Sequence, residues 1–483
     1  METNPRKSRK PRRRRVRRWL IAAAMLLAML GLVGPWPVDF GPWENAQWAR
    51  RTFARMTNWP EVGASGRFLA GSAGVELPCS PGDPMAGYVE RDPMTGLGQL
   101  EPLYARAVTV SNGHRTVTIL SAEILLFLPQ LRDAVLQRTA LDREEIYFTS
   151  SHTHSGPGGY AAGFIDQFIM GDYDSTRLNA LAEACAQAVR ASRRALQPAR
   201  LHAGWVLPVL PDGQGVVENR VVGGPADARL WVIRIDGPDG MIAAVVICNA
   251  HPTALGDENR HFSGDWPGRL ALGLEERFGG VILPVAGSVG SARLRSGCPR
   301  GPQRLAEAVS AMLPAAAGLL EQLGGATGDR DGQVLVRSAH RGPIVSRILQ
   351  VDLPVQQYRI SESLRLSPAA VSLVHDRKSY LHVLRIGPVM LAGQPGDYSE
   401  ALGAELIQQG LRRSQVWLST SFNGDYIGYI VPRSYYATGN YEVRTANFFG
   451  PWCGEYLTAL ATSACGRIMN RSPAGQEPPP EGS

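Results

Sequence analysis

The segment YFTSSHTHSGPGG, residues 147–159, gathers the side chains best suited to chemistry. His152 and His154 are two apart. In an extended backbone such residues share a side, so both imidazoles can reach one atom while Thr153 points away. Neutral imidazole is a good ligand for a borderline cation such as zinc. Gly156, Pro157, Gly158 and Gly159 then add little bulk, which leaves room for a substrate beside the ion. The competing reading is two histidines held by hydrogen bonds in a loop. A third imidazole, His251, directly follows the apolar run MIAAVVICNA, where a rigid strand can aim it. In the turn-rich stretch beyond it, His261 is open to substrate binding, proton transfer or a plain surface-loop role, and Asp265 can orient a histidine or a nearby backbone segment.

Further candidates lie elsewhere along the chain. LAGQPGDYSEAL runs from an apolar strand through Pro395-Gly396 to Asp397 and then a helix. Asp397 can cap that helix or bind a metal and offset its charge. FNGDYIGYI supplies Tyr426 and Tyr429, for which core packing with a hydrogen-bonded hydroxyl competes with ligation. Arg220 reads either as a loop ion pair or as a guanidinium that meets an anionic group or developing negative charge.

These residues need strands to position them. RTVTILSAEILLF, LWVIRI, MIAAVVICNA, GVILPVAG, YLHVLRIGPVMLAG and QVWLSTSFNG are short, apolar and bounded by Gly, Asn or Asp, and they read as core strands. Helical spacing recurs at 178–196, 302–323 and 398–411, with Cys185 on an apolar face. The alternation predicts an α/β protein, mixed β-sheets flanked by helices in a single large catalytic domain over 66–470. It is preceded by a basic tail over 1–18, an apolar span over 19–38 and a juxtamembrane linker over 39–65 with one short helix. The proline-rich tail 471–483 is expected to be disordered.

Charge and length narrow the function classes. Of 483 residues, the first 18 hold eight Arg, two Lys and one Glu, while residues 19–483 carry 40 basic against 42 acidic groups. A near-neutral body is not built to track nucleic-acid phosphates. The uncharged stretch 19–38 is long enough to cross a hydrocarbon core, and the positive charges before it favour a cytoplasmic N-terminus with the body outside, in a bacterium the periplasm. An uncleaved single-pass anchor in the inner membrane is the expected form. Six cysteines, at 79, 185, 248, 298, 453 and 465, show no CxxC; an even number permits disulfides without requiring them. No phosphate-cradling glycine motif is present.

In combination these segments resemble the neutral, non-lysosomal ceramidase family, specifically its catalytic N-terminal domain. SHTHSGPGG is similar to the family's paired-histidine zinc motif, which implies metal roles for His152 and His154; NAHPT with SGDWPG implies the same for His251. QPGDYSEALGAEL resembles a segment whose zinc-binding residue is Glu, with Asp397 in its place, and DYIGYI puts Tyr429 at the family's metal-ligand tyrosine. ENR resembles the segment of an arginine near the substrate carbonyl, Arg220. YEVRTANFFGP and AGVELPCSPGDPMAGY extend the likeness over roughly residues 73–465. The family nucleophile lies in a GDxSP-like loop. Here the loop is Gly287-Ser288-Val289-Gly290-Ser291, with Gly290 at the serine position and Ser291 in place only after a one-residue shift. The resemblance implies a Zn2+-dependent amidohydrolase cleaving ceramide or a related N-acylated amphiphile, with His261 or Tyr429 moving protons and Arg220 or Tyr429 meeting the oxyanion. The alternatives are a zinc esterase or small-amide hydrolase, or an inactive membrane-tethered binding protein.

Overall fold

The computed structural model describes residues 10–57, 59, 63–163, 166–325, 334–372 and 378–470. The expected C-terminal tail lies outside the described residues, as does the first half of the basic tail. Three sheets organise the body, in the α/β class expected. The first runs, in spatial order, Ile146–Ser150, Thr116–Ala122, Tyr104–Ser111, Leu69–Glu76 and Gln197–Pro198. The second runs Val281–Ala286, Gly240–Cys248, Leu230–Gly237, Arg200–Val206 and Val334–Ala339. The third runs Ile344–Asp352, Lys378–Ile386, Val389–Gly393 and Val416–Thr420.

Strand periodicity explains why the sheets stack. Successive side chains face opposite ways, and both faces here are apolar. Val117 and Ile119, Ile233 and Val245, and Leu384 and Leu391 come from the three sheets into one shared core. Leu120 and Ala122 face the other way, onto the helices Pro129–Thr139 and Ser175–Arg194. Val232, Ala244 and Val246 likewise pack under Asp265–Phe278 and Pro302–Leu323, and Met390 and Trp417 under Glu400–Leu411 and Cys453–Asn470. The helix Ser175–Arg194 starts where Asp174 accepts the N–H of Thr176 at 2.7 Å. It buries Leu181, Cys185, Ala188 and Val189 at three- and four-residue spacing.

Each sheet contains one parallel pair: 116–122 beside 146–150, 240–248 beside 281–286, and 389–393 beside 416–420. Their carboxyl ends lead into His152, into His251 and the 287–291 loop, and into Asp397 and the 421–429 loop. In open α/β sheets ligands sit beyond such ends.

The apolar run 380–393 is two strands rather than one, because Gly387, with φ of +58°, turns the chain into a hairpin. The N-terminal helix Lys10–Val33 contains a stretch, Arg14–Val33, long and apolar enough to cross a membrane. It stops short of the expected residue 38. Pro35 and Pro37 lack the N–H that helix continuation needs, and Trp36–Pro37 pairs with Leu364–Arg365 instead. The expected linker contains the short helix Gln47–Arg55, whose Arg51 and Arg55 bind Asp352 on the third sheet. All six cysteines are free thiols; Cys453 and Cys465, candidates for proximity, share one helix unpaired.

Candidate metal centre

His152, His154 and His251 converge. Their Nε2 atoms lie 3.2 Å (152 to 251), 3.3 Å (152 to 154) and 3.0 Å (154 to 251) apart. The opposite ring nitrogens settle the tautomers. His152 Nδ1 lies 2.9 Å from the carbonyl oxygen of Leu125, His154 Nδ1 2.8 Å from that of Gly87, and His251 Nδ1 3.2 Å from that of Val289. A carbonyl only accepts, so each Nδ1–H donates and each Nε2 carries a lone pair. Three lone pairs therefore face one point with no proton between them. Burial, the largest cause, holds the His152 imidazolium down to a pKa of about 3 and those of His154 and His251 well below the usual range, so protonation does not relieve the repulsion.

A cation at that point does. Two nitrogens about 2.1 Å from a tetrahedral zinc ion lie about 3.4 Å apart, close to the observed spacings. Asp397 supplies a fourth group: Oδ1 is 3.6 Å from His152 Nε2, is buried and makes no hydrogen bond. Its other oxygen accepts from Tyr426 Oη at 2.9 Å. Burial raises the Asp397 carboxyl to a pKa of about 7, the Tyr426 hydrogen bond and the Arg220 charge opposing the rise. A buried carboxylate oxygen with no donor, beside three converging lone pairs, fits a bound divalent ion.

The local backbone differs from the extended segment expected. His152 has a φ of +62°, a left-handed conformation that a non-glycine residue adopts at a cost. Phe422, also at +62°, stacks on the His152 ring at 4.0 Å and 15°. Gly87 is required beside them: at its φ of +127° a Cβ would sit 2.6 Å from His154 Cα. Arg91 clamps the region by donating to the carbonyls of Ala86, His154 and Asn259. Neither Phe422 nor Arg91 carries a signal readable from sequence, since Phe422 acts through His152, and Arg91 mainly through His154 and Asn259, all remote in the chain.

Tyr429 lies beside Asp397 in register, in the parallel pair of Asp397–Tyr398 with Tyr429–Ile430. Burial first and then Asp397 raise its hydroxyl well above the ordinary range, so it stays protonated. Arg220 stands 5.7 Å over the Tyr441 ring, with its Nη1 3.6 Å from the buried Glu442 carboxylate. Its backbone N–H bonds the carbonyl of Ser291 at 2.8 Å. The Ser291 hydroxyl is buried and 2.6 Å from Ser399 Oγ, and Ser288 Oγ is 2.5 Å from Ser419 Oγ. Gly290 has no room for a side chain, because a Cβ there would lie 2.3 Å from the Asp397 carbonyl oxygen. His261 is not part of the cluster; it sits in a two-residue strand paired with Gly98–Gln99 and held by Asn259. Asp265 accepts from the N–H groups of Ala254, Leu255 and Trp266, which fixes the turn after His251 rather than an imidazole.

The chain is similar to known proteins in sequence and in fold. Residues 81–206 match the family described as neutral/alkaline non-lysosomal ceramidase, N-terminal. A neutral ceramidase of Mycobacterium tuberculosis is 23% identical over 235 residues, 45% of this chain and 36% of that protein, so the match spans about a third of the relative's length. A crystal structure of neutral ceramidase from Pseudomonas aeruginosa superposes with a TM-score of 0.68 at 16% identity, covering 84% of this chain and 74% of that one. A ceramidase complexed with C2 gives 0.69 at 16% identity, covering 85% and 77%. Residues 81–206 are thus similar in sequence to the neutral/alkaline non-lysosomal ceramidases, and the body shares the fold of the solved neutral ceramidase.

Proposed function

We propose that the protein is a zinc-dependent amidohydrolase that cleaves the amide of ceramide or a related N-acylated amphiphile. The observation that carries the reading is the convergence of three deprotonated Nε2 atoms, with an unpartnered carboxylate oxygen beside them. His152, His154, His251 and Asp397 hold the ion, and Tyr429 lies next to Asp397 as a further ligand or donor. When bound, zinc supplies Lewis acidity toward the amide carbonyl and toward water.

The chain's own groups supply the rest. Arg220, kept close to Tyr429 by the Glu442 carboxylate, presents fixed positive charge to the oxygen that turns negative. Tyr429, protonated, donates a hydrogen bond to that oxygen or a proton to the leaving amine. The Ser291 and Ser399 hydroxyls share one hydrogen bond, and water is taken as the nucleophile in this reading. His261 takes no step at the ion. His154 is half-buried where His152 and His251 are enclosed, so the centre opens on its side. The N-terminal helix anchors the chain in the bacterial inner membrane, with the body over 66–470 in the periplasm.

The test is elemental analysis of the purified full-length protein, joined to hydrolysis assays on ceramide, N-acyl amino acids and simple esters before and after chelation. The expected result is about one zinc per chain and amide cleavage that chelation abolishes and zinc restores. Stoichiometric zinc without turnover on any of the three classes would instead mark a binding protein, and cleavage of esters alone a zinc esterase.

A further inference from the structure

The N-terminal helix is joined to the body by more than a peptide. Its last turn is met by Ser367, whose N–H donates to the Val33 carbonyl at 2.9 Å and whose hydroxyl donates to that of Leu32. Trp36–Pro37 pairs antiparallel with Leu364–Arg365, and Arg365 reaches back to the Pro37 carbonyl at 2.8 Å. Val38 N–H then donates to the Ser363 carbonyl at 2.9 Å. These contacts, spread over seven residues of the exit, set the helix end in the body's frame.

The uncharged part of the helix is also shorter than the hydrocarbon core, so the full span Arg14–Val33 crosses it only with its arginines included. Trp19–Val33 supplies about 22 Å of apolar length at about 1.5 Å per residue, against a hydrocarbon core of about 30 Å. Arg17 and Arg18 can snorkel at one end. At the other end the deficit falls on the exit, and there Trp36, Phe40, Ile360 and Leu364 are exposed beside the polar Asp39, Ser361, Glu362 and Ser363. Tryptophan beside aliphatic groups suits a bilayer interface, whereas in water the same four would form an unexplained apolar patch.

From the exit a continuous packing chain leads to the metal centre. Val38 is buried in one cluster with Val221, Tyr435, Tyr436 and Val443, with Tyr429 against it. The Phe40 ring lies 6.1 Å from that of Tyr436. Two residues beyond Arg220, Val222 is fully exposed, and Tyr441, under the Arg220 guanidinium, is more than half exposed.

We propose that the strand pair 36–37 with 364–365 sits in the interface of the bilayer that holds the anchor, so that the exposed face carrying Val222 and Tyr441, beside Arg220, is fixed against that membrane. The occupant of the apolar exit face is the lipid surface itself. The site then takes an amphiphile from the leaflet it stands on, without that molecule crossing water. This rests on the anchor reading and on the amide-hydrolase reading above, and its test separates them.

Nitroxide labels are placed at residues 360, 364 and 114 through Ile360→Cys, Leu364→Cys and His114→Cys in the full chain. The chain is reconstituted in phosphatidylcholine–phosphatidylglycerol vesicles, with labelling of the parent chain subtracted. His114 lies in the exposed turn at the end of the first sheet away from the metal centre. Labels 360 and 364 are expected to be accessible to oxygen and shielded from a water-soluble nickel chelate, and label 114 the reverse. Equal aqueous exposure at all three positions would overturn the proposal. The double variant Ile360→Glu with Leu364→Glu is expected to lower the rate on ceramide in vesicles about tenfold and to leave the rate on a monomeric short-chain amide unchanged. Equal rates on both substrates would count against docking. Failure of every variant, parent included, to cleave the short amide would refute the hydrolase reading, while the nitroxide result still decides the docking.

Discussion

Replacing Tyr426 by phenylalanine removes one hydroxyl and, with it, the donor that fixes Asp397. The bond is 2.9 Å long, partly buried, and made to Oδ2, the carboxylate oxygen other than the one beside His152. Without it Asp397 is free to rotate or to take up a proton, and the oxygen beside His152 is no longer held in one place. A hydrogen bond to a charged group contributes about 1.5–3 kcal/mol, and loss of a group that orients a metal ligand typically lowers affinity about 10–100-fold. At about 1.4 kcal/mol per factor of ten the two figures agree. The assay is competition for zinc against a chromogenic chelator, with urea unfolding of the metal-free protein in parallel. Tyr398→Phe is the control, because its hydroxyl lies 2.5 Å from Thr458 Oγ1, bonded to that threonine and not to Asp397. Both variants should lose folding stability, and only Tyr426→Phe should lose zinc affinity. Unchanged zinc affinity in Tyr426→Phe would show that Asp397 does not serve the ion and would refute the reasoning.

Gly290→Ala forces a Cβ to within 2.3 Å of the Asp397 carbonyl oxygen, so it should destabilise by about 1–3 kcal/mol in urea titrations. Gly318→Ala in the helix Pro302–Leu323, where the added methyl meets nothing within 4 Å, should be neutral or stabilising. Glu400 is buried, and burial raises its pKa from 4.5 to about 8, the Asp227 backbone N–H opposing the rise. Between those values the folded state holds the proton more tightly than the unfolded chain. Glu400's contribution to stability is therefore complete below about pH 4.5 and is lost as pH rises toward 8. Glu400→Gln should flatten that part of the pH–stability curve, and an unaltered slope would contradict the assignment.

Much of the architecture follows from local pattern. Val-, Ile- and Leu-rich runs with no polar face, as in MIAAVVICNA, can only be strands covered on both sides, and the sheets flanked by helices are the consequence. The helix 302–323 is bounded as its apolar spacing predicts, and the place of His251 beyond a strand end is legible because a chain leaving a parallel strand emerges at the ligand-binding edge. The hairpin at Gly387 was not legible in this way, since a continuous apolar run carries no mark of where its register reverses.

The residue types and their order along the chain thus determine the sheets, the helices and the imidazoles available to bind an ion. Only the tertiary structure decides that His152 meets His251, through a left-handed backbone at residue 152 and a stacked Phe422 from the loop that follows the third sheet. It also decides that Tyr426 rather than Tyr429 bonds Asp397, and that the Ser291 and Ser399 hydroxyls meet. The physical reason is range: secondary structure answers to neighbours three or four residues away, whereas the direction of a lone pair, the burial of a carboxylate and the engagement of a hydroxyl are set by atoms 27 to 108 residues distant.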